Sequence, residues 1–496
     1  MRWRTAIAAA LAFGGAVALY VPALSSAVDF SDAAEAQTVP YILGIGHPTG
    51  FPAYTLAGWL FAHVVALGTV AWRMNLMAAL CVALSAAGIV VFATILECNA
   101  FAALFVALAF AFGSVACAEA VIANIHVFAV LAVECALMLG VKFARDGDAR
   151  TLVAACACAG LGMATHPLAV LVLPGIAVAA AWQFRRTTCR TLAFAAVALL
   201  GPLLLYAYLP LRSAVVAAEH LDPTAGAPLY ATGTIDWDTN QTRTVTGFLD
   251  EVLARRERAG SALGHAFDPR TIPAAFAFWS NVSKFQYGTW FGLFAAAGLG
   301  ALALRDRRAL SVVVAGSIVA FAFAYVYRAD AEFGGYLLGP LAVLAALAAA
   351  STRLRLPRVP PAALATTATL GLGLMAVLVW EGPRQLTRPV PTTGQSVIDE
   401  VRRDVPDGAI VVAEWGEAAA LGYGAAVEHA LGTRTIVAGW PAQYGVHYPD
   451  WTRFRRVVIY VDAVGFPQLQ AIPLGWLHRL PSASRSHLLF EIVPPG

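Results

Sequence analysis

Length, composition and charge place the chain among membrane proteins. Its 496 residues are 59% apolar and only 13% charged, with a formal net charge of +3. Soluble domains average about 45–50% apolar and about 25% charged residues, so this composition excludes an ordinary soluble protein. The small net charge gives no sign of nucleic-acid binding.

Apolar segments long enough to cross a bilayer recur along the chain. A span needs about 20 apolar residues, and about eleven segments approach that length. Two short segments flank Thr165-His166-Pro167, where Pro167 predicts a tight reversal. Thr5–Leu24 is long for a signal peptide, so we interpret it as an uncleaved first helix. The predicted spans are Thr5–Leu24, Trp72–Leu96, Phe101–Ala118, Val121–Phe143, Leu152–Ala164, Leu168–Trp182, Leu192–Leu209, Thr289–Leu304, Leu310–Tyr327, Phe333–Ala350 and Ala362–Trp380.

Basic residues in the short loops predict the orientation. About fourteen Arg and Lys residues fall on one side of this topology and about two on the other, and the basic side is normally cytoplasmic. We therefore expect a cytoplasmic N-terminus and an external C-terminal segment. Arg-rich, Lys-poor usage is typical of a GC-rich bacterial genome, which predicts a multi-pass protein of the inner membrane.

The predicted fold is mainly α: a polytopic helical membrane domain over residues 1–380, followed by a small α/β domain over 381–496. Residues 25–71 and 212–287 form long external loops. Phe51–Gly68 is just long enough to span, but that would invert every later loop, so we place it at the interface. The C-terminal segment has strand-like runs at Gly408–Ala413, Thr433–Ala438 and Arg456–Val461 and a helical stretch at Glu417–Ala430.

The first external loop begins with three carboxylates. Asp29, Asp32 and Glu35 are spaced three apart and so share one face of a helical turn. They repel one another, which favours a base or a cation site facing a substrate at the membrane. The alternative is a solvated acidic helix turn.

An irregular loop follows, because three glycines and two prolines fall within residues 44–52. His47 in this loop can donate a hydrogen bond to an anion or carry a proton. The alternative is a histidine that only makes structural hydrogen bonds.

Further polar residues are predicted at the same external level. Glu134, by contrast, falls well inside a span, where a charge costs about 2.5–3.5 kcal/mol. The external set consists of Asn124, His126, His166, Arg212, Asp236, Trp237, Arg328, Asp330 and Glu332.

These motifs resemble the GT-C class of membrane glycosyltransferases, and more closely the multi-pass protein O-mannosyltransferase family (transmembrane protein 260-like). The resemblance covers roughly residues 25–350. The family pattern has Asp-x-Gly-Glu where this chain has Asp-Ala-Ala-Glu, and Glu-Val-Tyr where Asn124-Ile-His126 stands. The residues that carry the resemblance are Asp32–Glu35, His47–Pro52, Trp72–Asn75, Gly160–Pro174, Tyr208–Arg212 and Ile235–Trp237.

The resemblance implies transfer of a mannose-like sugar from a polyprenyl-phosphate donor to a hydroxyl of a protein, lipid or glycan on the external face, with inversion. Asp32 would be the base, with Glu35 as its orienter or an alternative base, and His47 would orient the donor or Asp32. No cofactor is implied, and no metal ligand set is indicated.

The remaining candidate residues would bind the substrate. Arg212, His166 and Arg328 would hold the phosphate, and Trp237 would stack on a sugar or serve only structure. Asp29, Asn124, His126, Asp236, Asp330 and Glu332 complete the set of candidate substrate contacts.

A transporter or flippase is the alternative function. Glu134 and the break at His166-Pro167 are the features in its favour. The absence of an internal repeat and the polar cluster at the external face argue against it.

Overall fold

The computed structural model describes residues 2–222, 237–238, 240–255, 269–328, 334–379, 381–386, 394–462, 469, 472–482 and 486–495. The chain forms two compact units. Unit 1 comprises Met1–Leu24, Leu76–Leu205 and Glu257–Arg388, and unit 2 comprises Ser25–Asn75, Tyr206–Arg256 and Pro389–Gly496. The predicted boundary after residue 380 stays a prediction.

The expected mainly α fold with a small C-terminal sheet is confirmed. The α-helices are Arg2–Tyr20, Ser31–Ile42, Pro52–Val64, Val70–Ile95, Ala100–Ala111, Ser114–Ala120, Ile125–Asp146, Ala149–Thr165, Leu173–Trp182, Cys189–Leu200, Tyr208–Ala218, Val245–Leu253, Ile272–Tyr287, Phe291–Arg305, Arg307–Val326, Gly334–Ala350, Pro361–Leu378, Glu381–Leu386, Gly394–Asp404, Trp415–Ala426 and Tyr448–Trp451.

Among the described residues, seven helices are long and apolar enough to cross a membrane, or nine when each of two bent pairs is one span. The bent pairs are Ala100–Ala111 with Ser114–Ala120 and Ile272–Tyr287 with Phe291–Arg305. Two shorter apolar helices, Ala149–Thr165 and Pro167–Trp182, flank His166. Each predicted span contains at least one helix, but seven to nine of the described segments qualify as spans against the eleven predicted. The helix Ile272–Tyr287 lies in the segment predicted as an external loop.

The helix Pro52–Val64 occupies the segment whose position the sequence left ambiguous. It has 13 residues, too few to cross a bilayer about 30 Å thick at 1.5 Å per residue. Its length agrees with the interfacial placement.

Charged side chains tie several loops of unit 1 together at one end of its helices. Arg145 Nε donates to Asp306 Oδ2 at 2.8 Å, and Arg353 Nη2 donates to Glu97 Oε2 at 2.9 Å. Arg353 Nη1 also lies 3.7 Å from Asp306 Oδ2. All four residues belong to loops predicted on the cytoplasmic side, so the contacts agree with the expected alternation of the spans.

Replacing Asp306 by alanine is expected to destabilise unit 1. Asp306 is an acceptor for Arg145, and its Oδ1 also accepts from Ala309 N at 3.0 Å at the start of a helix. Losing the half-buried acceptor and the helix cap should lower the free energy of unfolding by roughly 2–4 kcal/mol. SDS-induced unfolding in mixed micelles measures this. Asp146→Ala, which removes an exposed pair with Lys142, should change it by less than about 0.5 kcal/mol.

The described part of unit 2 contains a sheet of five strands, which are β1 Ile410–Ala413, β2 Thr435–Ala438, β3 Val457–Asp462, β4 Leu477–Arg479 and β5 His487–Ile492. Their order in the sheet is β2-β1-β3-β5-β4. Strands β1, β2 and β3 run parallel to one another, and β5 is antiparallel to both β3 and β4. The three parallel strands and the helix after β1 lie close to the segments predicted from sequence, whereas β4 and β5 were not predicted.

The helix Ser31–Ile42 packs within unit 2 against the helix Trp415–Ala426. Small residues allow the close approach: a Cβ on Gly416 would lie 2.9 Å from Phe30. Tyr423 of the second helix also accepts a hydrogen bond at 3.0 Å from Ala71 N, at the start of the helix Val70–Ile95. This packing sets the helix of the acidic residues against the first βα segment of the C-terminal domain.

Candidate active site

The helix Ser31–Ile42 presents Asp32 and Glu35 one turn apart. Asp32 lies in its first turn and is half-buried, whereas Glu35 is only 3% exposed. Spacing of three puts the two carboxylates on one helix face, as predicted. Their environments differ, because Asp32 is partly open to solvent and Glu35 is enclosed.

Glu35 is held by the irregular loop that follows the helix. The His47 backbone N–H donates to Glu35 Oε1 at 2.8 Å, and the His47 Nδ1 atom pairs with Glu35 Oε2. Both carboxylate oxygens are therefore engaged, and a buried carboxylate in two such bonds is a rigid anchor. The geometry gives Glu35 the position of an orienter of His47.

Carboxylates surround His47. Burial alone would lower the pKa of His47, but the negative charges of Glu35, Asp32 and Glu251 raise its pKa to about 10. His47 is therefore an imidazolium at neutral pH, able to donate from Nε2 and to neutralise part of the local negative charge. Glu251 is 1% exposed, and its Oε2 accepts from Asn240 Nδ2 at 2.7 Å.

Aromatic rings complete the surroundings of His47. The Phe51 ring lies 5.4 Å away, and the Trp415 ring lies 5.5 Å away at 86°. Phe51 is fully buried, whereas Trp415 is 37% exposed. The His47 side chain therefore lies between a closed apolar wall and a partly open one.

Arg212, Tyr208 and Trp237 meet at the end of the acidic helix. Tyr208 Oη donates to Gly44 O at 2.8 Å, and Arg212 Nη2 lies 3.5 Å from Ile42 O. The Trp237 ring packs on Gly44, where a Cβ would lie 3.2 Å from the ring, and Trp237 O accepts from Ile45 N. Trp237 is 9% exposed, so its ring is not open to stack on a sugar.

Two donors in this cluster have no hydrogen-bond acceptor among the described residues: Arg212 Nε and Trp237 Nε1. A buried N–H without a partner costs about 1–3 kcal/mol. Two such groups near residues 42–45 point to an acceptor, such as a phosphate oxygen, that binds there.

Asp29 lies before the same helix. Its backbone N–H donates to Gln37 Oε1 at 2.9 Å, and Gln37 Nε2 donates to Asn75 Oδ1 at 2.9 Å. Burial raises the pKa of Asp29 to about 6. Asp29 thus belongs to a hydrogen-bonded network that fixes the start of the helix.

His126 and His166 come together in unit 1. Their ring centroids are 4.9 Å apart, and His126 lies 4.4 Å from the Tyr336 ring. The three side chains line a pocket whose other walls are apolar and include Val130, Leu168 and Phe323. A polar group beside an apolar pocket suits an amphiphilic ligand.

The other predicted residues of unit 1 have local partners. Asn124 caps the helix Ile125–Asp146 by accepting from His126 N at 2.7 Å, and it pairs with Glu119. Arg328 is exposed and donates to Tyr325 O at 2.7 Å, with its guanidinium 4.1 Å above the Tyr325 ring. Asp236, Asp330 and Glu332 lie outside the described residues.

Glu134, the basis of the transport alternative, lies within the helix Ile125–Asp146, is 7% exposed and packs against Gly88.

Within the described part of the chain, no group of three or more His, Cys, Asp or Glu residues could hold a metal ion.

Three residues of these sites were missed at the sequence level: Glu251, Tyr336 and Trp415. Trp415 directly follows the first strand run, and residues at the carboxyl ends of parallel strands often contact ligands, so a signal existed for it. Glu251 and Tyr336 carry no local signal that separates them from other residues of amphipathic or apolar helices.

The fold is similar to that of a protein of known structure. ArnT from Cupriavidus metallidurans, in its structure with undecaprenyl phosphate, matches with a TM-score of 0.59 and 13% identity over 98% of this chain and 99% of that chain. Its apo structure matches with a TM-score of 0.57 and 14% identity over the same shares. The fold is therefore that of a GT-C membrane protein, as expected.

Residues 32–189, about a third of the chain, match the family described as the protein O-mannosyl-transferase TMEM260 N-terminal domain. No curated protein matches the chain by sequence. The predicted resemblance to this family is confirmed over that segment. The family match and the fold together support a membrane glycosyltransferase.

Proposed function

We propose that this protein transfers a mannose-like sugar from a polyprenyl-phosphate donor to a hydroxyl group of a protein, lipid or glycan on the external face of the bacterial inner membrane. The observation that carries the proposal is the Asp32–Glu35–His47 arrangement. A half-buried carboxylate lies beside a second carboxylate that is fixed by an imidazolium.

Asp32 acts as the base because Glu35 uses both of its oxygens to hold His47. The acceptor oxygen attacks the anomeric carbon and gives its proton to Asp32. The bond between that carbon and the phosphate oxygen breaks, and its electron pair leaves with the polyprenyl phosphate. A single displacement inverts the anomeric carbon, and no strong general acid is needed because phosphate is a good leaving group.

Arg212 binds the departing phosphate. Its Nε donor lacks an acceptor among the described residues, and a guanidinium matches the geometry of phosphate oxygens. The Trp237 indole N–H lies in the same cluster and is a second donor of this kind. Their charge and hydrogen bonds stabilise the negative charge that develops on the leaving group.

The pocket of unit 1 by itself suits a polyprenyl phosphate. Its apolar walls suit a prenyl chain, and His126 and His166 suit an anionic head. Arg328, exposed in the turn after Val326, is a further cation of unit 1 that suits an anionic head. These contacts are part of the proposal.

A transfer assay tests the function. The purified protein in nanodiscs is incubated with radiolabelled polyprenyl-phosphate hexoses and a membrane and periplasmic extract. Label in an acceptor fraction supports the proposal and identifies the sugar. If no donor gives transfer with folded protein, the proposal fails and transport becomes the better interpretation, with Glu134 as the residue to test.

Replacing Arg212 by glutamine is expected to weaken use of the donor. Loss of a charge-assisted hydrogen bond of about 1.5–3 kcal/mol should raise the KM for the donor or lower kcat/KM about 10- to 100-fold. Arg453→Gln removes an exposed arginine of the same unit and should leave kcat/KM unchanged. Equal kinetics for Arg212→Gln and wild type would exclude Arg212 from the phosphate site.

A further inference from the structure

Trp415 lies where the C-terminal domain reaches the candidate active site. It begins the helix that follows β1, at the carboxyl end of a parallel strand. From β1 the chain goes to β2 on one side, and β3 then pairs on the other side. Ligands of open α/β sheets bind outside the carboxyl ends of strands at such a switch point.

The position of Trp415 is fixed by packing on both sides. Its helix packs against the helix of Asp32 and Glu35, and its ring lies 5.5 Å from His47. Even so, 37% of Trp415 is exposed. The large apolar ring of Trp415 is thus partly exposed beside the residues that are proposed to act on the sugar.

Acidic residues lie close to Trp415 in the chain and suit a ligand that bears hydroxyl groups. Burial raises the pKa of Glu417 to about 7, and negative charge from Glu414 and Asp462 contributes. Glu414 and Glu417 lie close to Trp415 in the chain, and carboxyl oxygens accept hydrogen bonds from the hydroxyls of a sugar. The aliphatic C–H face of a hexose ring suits a tryptophan face.

We propose that Trp415 is the platform for the hexose ring of the donor, so that the C-terminal domain supplies the sugar-binding subsite. This inference rests on the proposed function. It assigns the stacking role to Trp415 and not to Trp237, whose ring is covered by the Gly44 main chain. The two tryptophans then lie at different parts of the donor: Trp237 is next to Arg212 at the phosphate, and Trp415 contacts the sugar.

The experiment compares the binding of two lipids to the full-length protein in nanodiscs. One is a polyprenyl-phosphate hexose that supports transfer, and the other is the same polyprenyl phosphate without sugar. Trp415→Ala should weaken binding of the sugar-bearing lipid about 5- to 10-fold and leave the sugar-free lipid unchanged. Trp415→Phe should retain most of the affinity, since a flat ring remains.

Trp440→Ala is the matched control, because Trp440 is 58% exposed and follows β2 in the same sheet. It should bind both lipids as wild type does. The inference is overturned if Trp415→Ala weakens both lipids equally, if only the KM for the acceptor rises, or if Trp440→Ala has the same effect. A shift of the pH dependence of transfer in Trp415→Ala without a loss of sugar preference would also overturn it, since this indicates that Trp415 acts through His47.

The binding and transfer results for wild type distinguish a failure of this inference from a failure of the proposed function. If wild type prefers the sugar-bearing lipid and transfers its sugar while Trp415→Ala keeps the preference, only the subsite is wrong. If wild type neither transfers sugar nor distinguishes the two lipids, both proposals fail.

Discussion

Asp32→Asn is expected to lower kcat for sugar transfer about 10²- to 10⁴-fold, the usual contribution of a positioned general base. The amide keeps the size of the carboxylate but cannot take the proton of the acceptor hydroxyl. The KM for the donor should change little, because donor binding is assigned to other residues. Initial rates with a radiolabelled donor measure both constants.

Asp450→Asn provides the comparison for Asp32→Asn. Asp450 is an exposed aspartate of the same unit that pairs with the neighbouring Arg453, so transfer should remain at the wild-type rate. A folded Asp32→Asn protein with wild-type kcat would remove Asp32 from the base role.

Glu35→Gln is expected to lower transfer about 10- to 100-fold, less than Asp32→Asn does. The amide still fills the buried site, but it removes the negative charge that pairs with His47. A charge-assisted hydrogen bond contributes about 1.5–3 kcal/mol. Glu35 acts through His47, so a change in the pH dependence should accompany the loss of rate.

The pH dependence of stability tests the same pair. The pKa of His47 rises from 6.5 to about 10 in the folded protein, so the protonated form stabilises the fold. This stabilisation is complete below about pH 6.5 and is lost as the pH rises through about 10. Wild type should therefore lose more thermal stability than Glu35→Gln between these pH values.

Thermal unfolding in nanodiscs at several pH values measures the effect. His63→Gln is a matched control, because the partner of the His63 Nδ1 atom among the described residues is the exposed backbone carbonyl of Trp59. This variant should follow the wild-type curve. Parallel curves for wild type and Glu35→Gln would show that Glu35 does not hold the charge of His47.

The sequence by itself determined the class of protein and the positions of the long apolar helices, but it did not predict helices such as Val245–Leu253 and Ile272–Tyr287. A span is a local property, since about 20 apolar residues suffice to recognise one, and each predicted span contains at least one helix. The three parallel strands could also be predicted from the sequence, because each is a short apolar run between turn signals. Strands β4 and β5 were missed because Leu477–Arg479 is very short and half-exposed and because β5 depends on antiparallel pairing with β3 and β4.

Sequence motifs also selected Asp32, Glu35 and His47, since these residues lie close together along the chain and belong to one family pattern. They could not divide the roles of the two carboxylates, which depend on burial and on the partner of each oxygen. The bonds from His47 to both oxygens of Glu35 assign the anchoring role to Glu35 and leave Asp32 as the proposed base.

Only the tertiary structure brought together residues that are far apart in the chain. Trp415 reaches His47 because its helix packs on the helix of Asp32, and His126, His166 and Tyr336 meet because three separate helical segments pack side by side. Hydropathy does not encode such neighbours, since every lipid-facing or helix-facing surface is apolar and association depends on detailed side-chain packing. The local pattern thus determines which segments cross the membrane, and packing determines which side chains share a site.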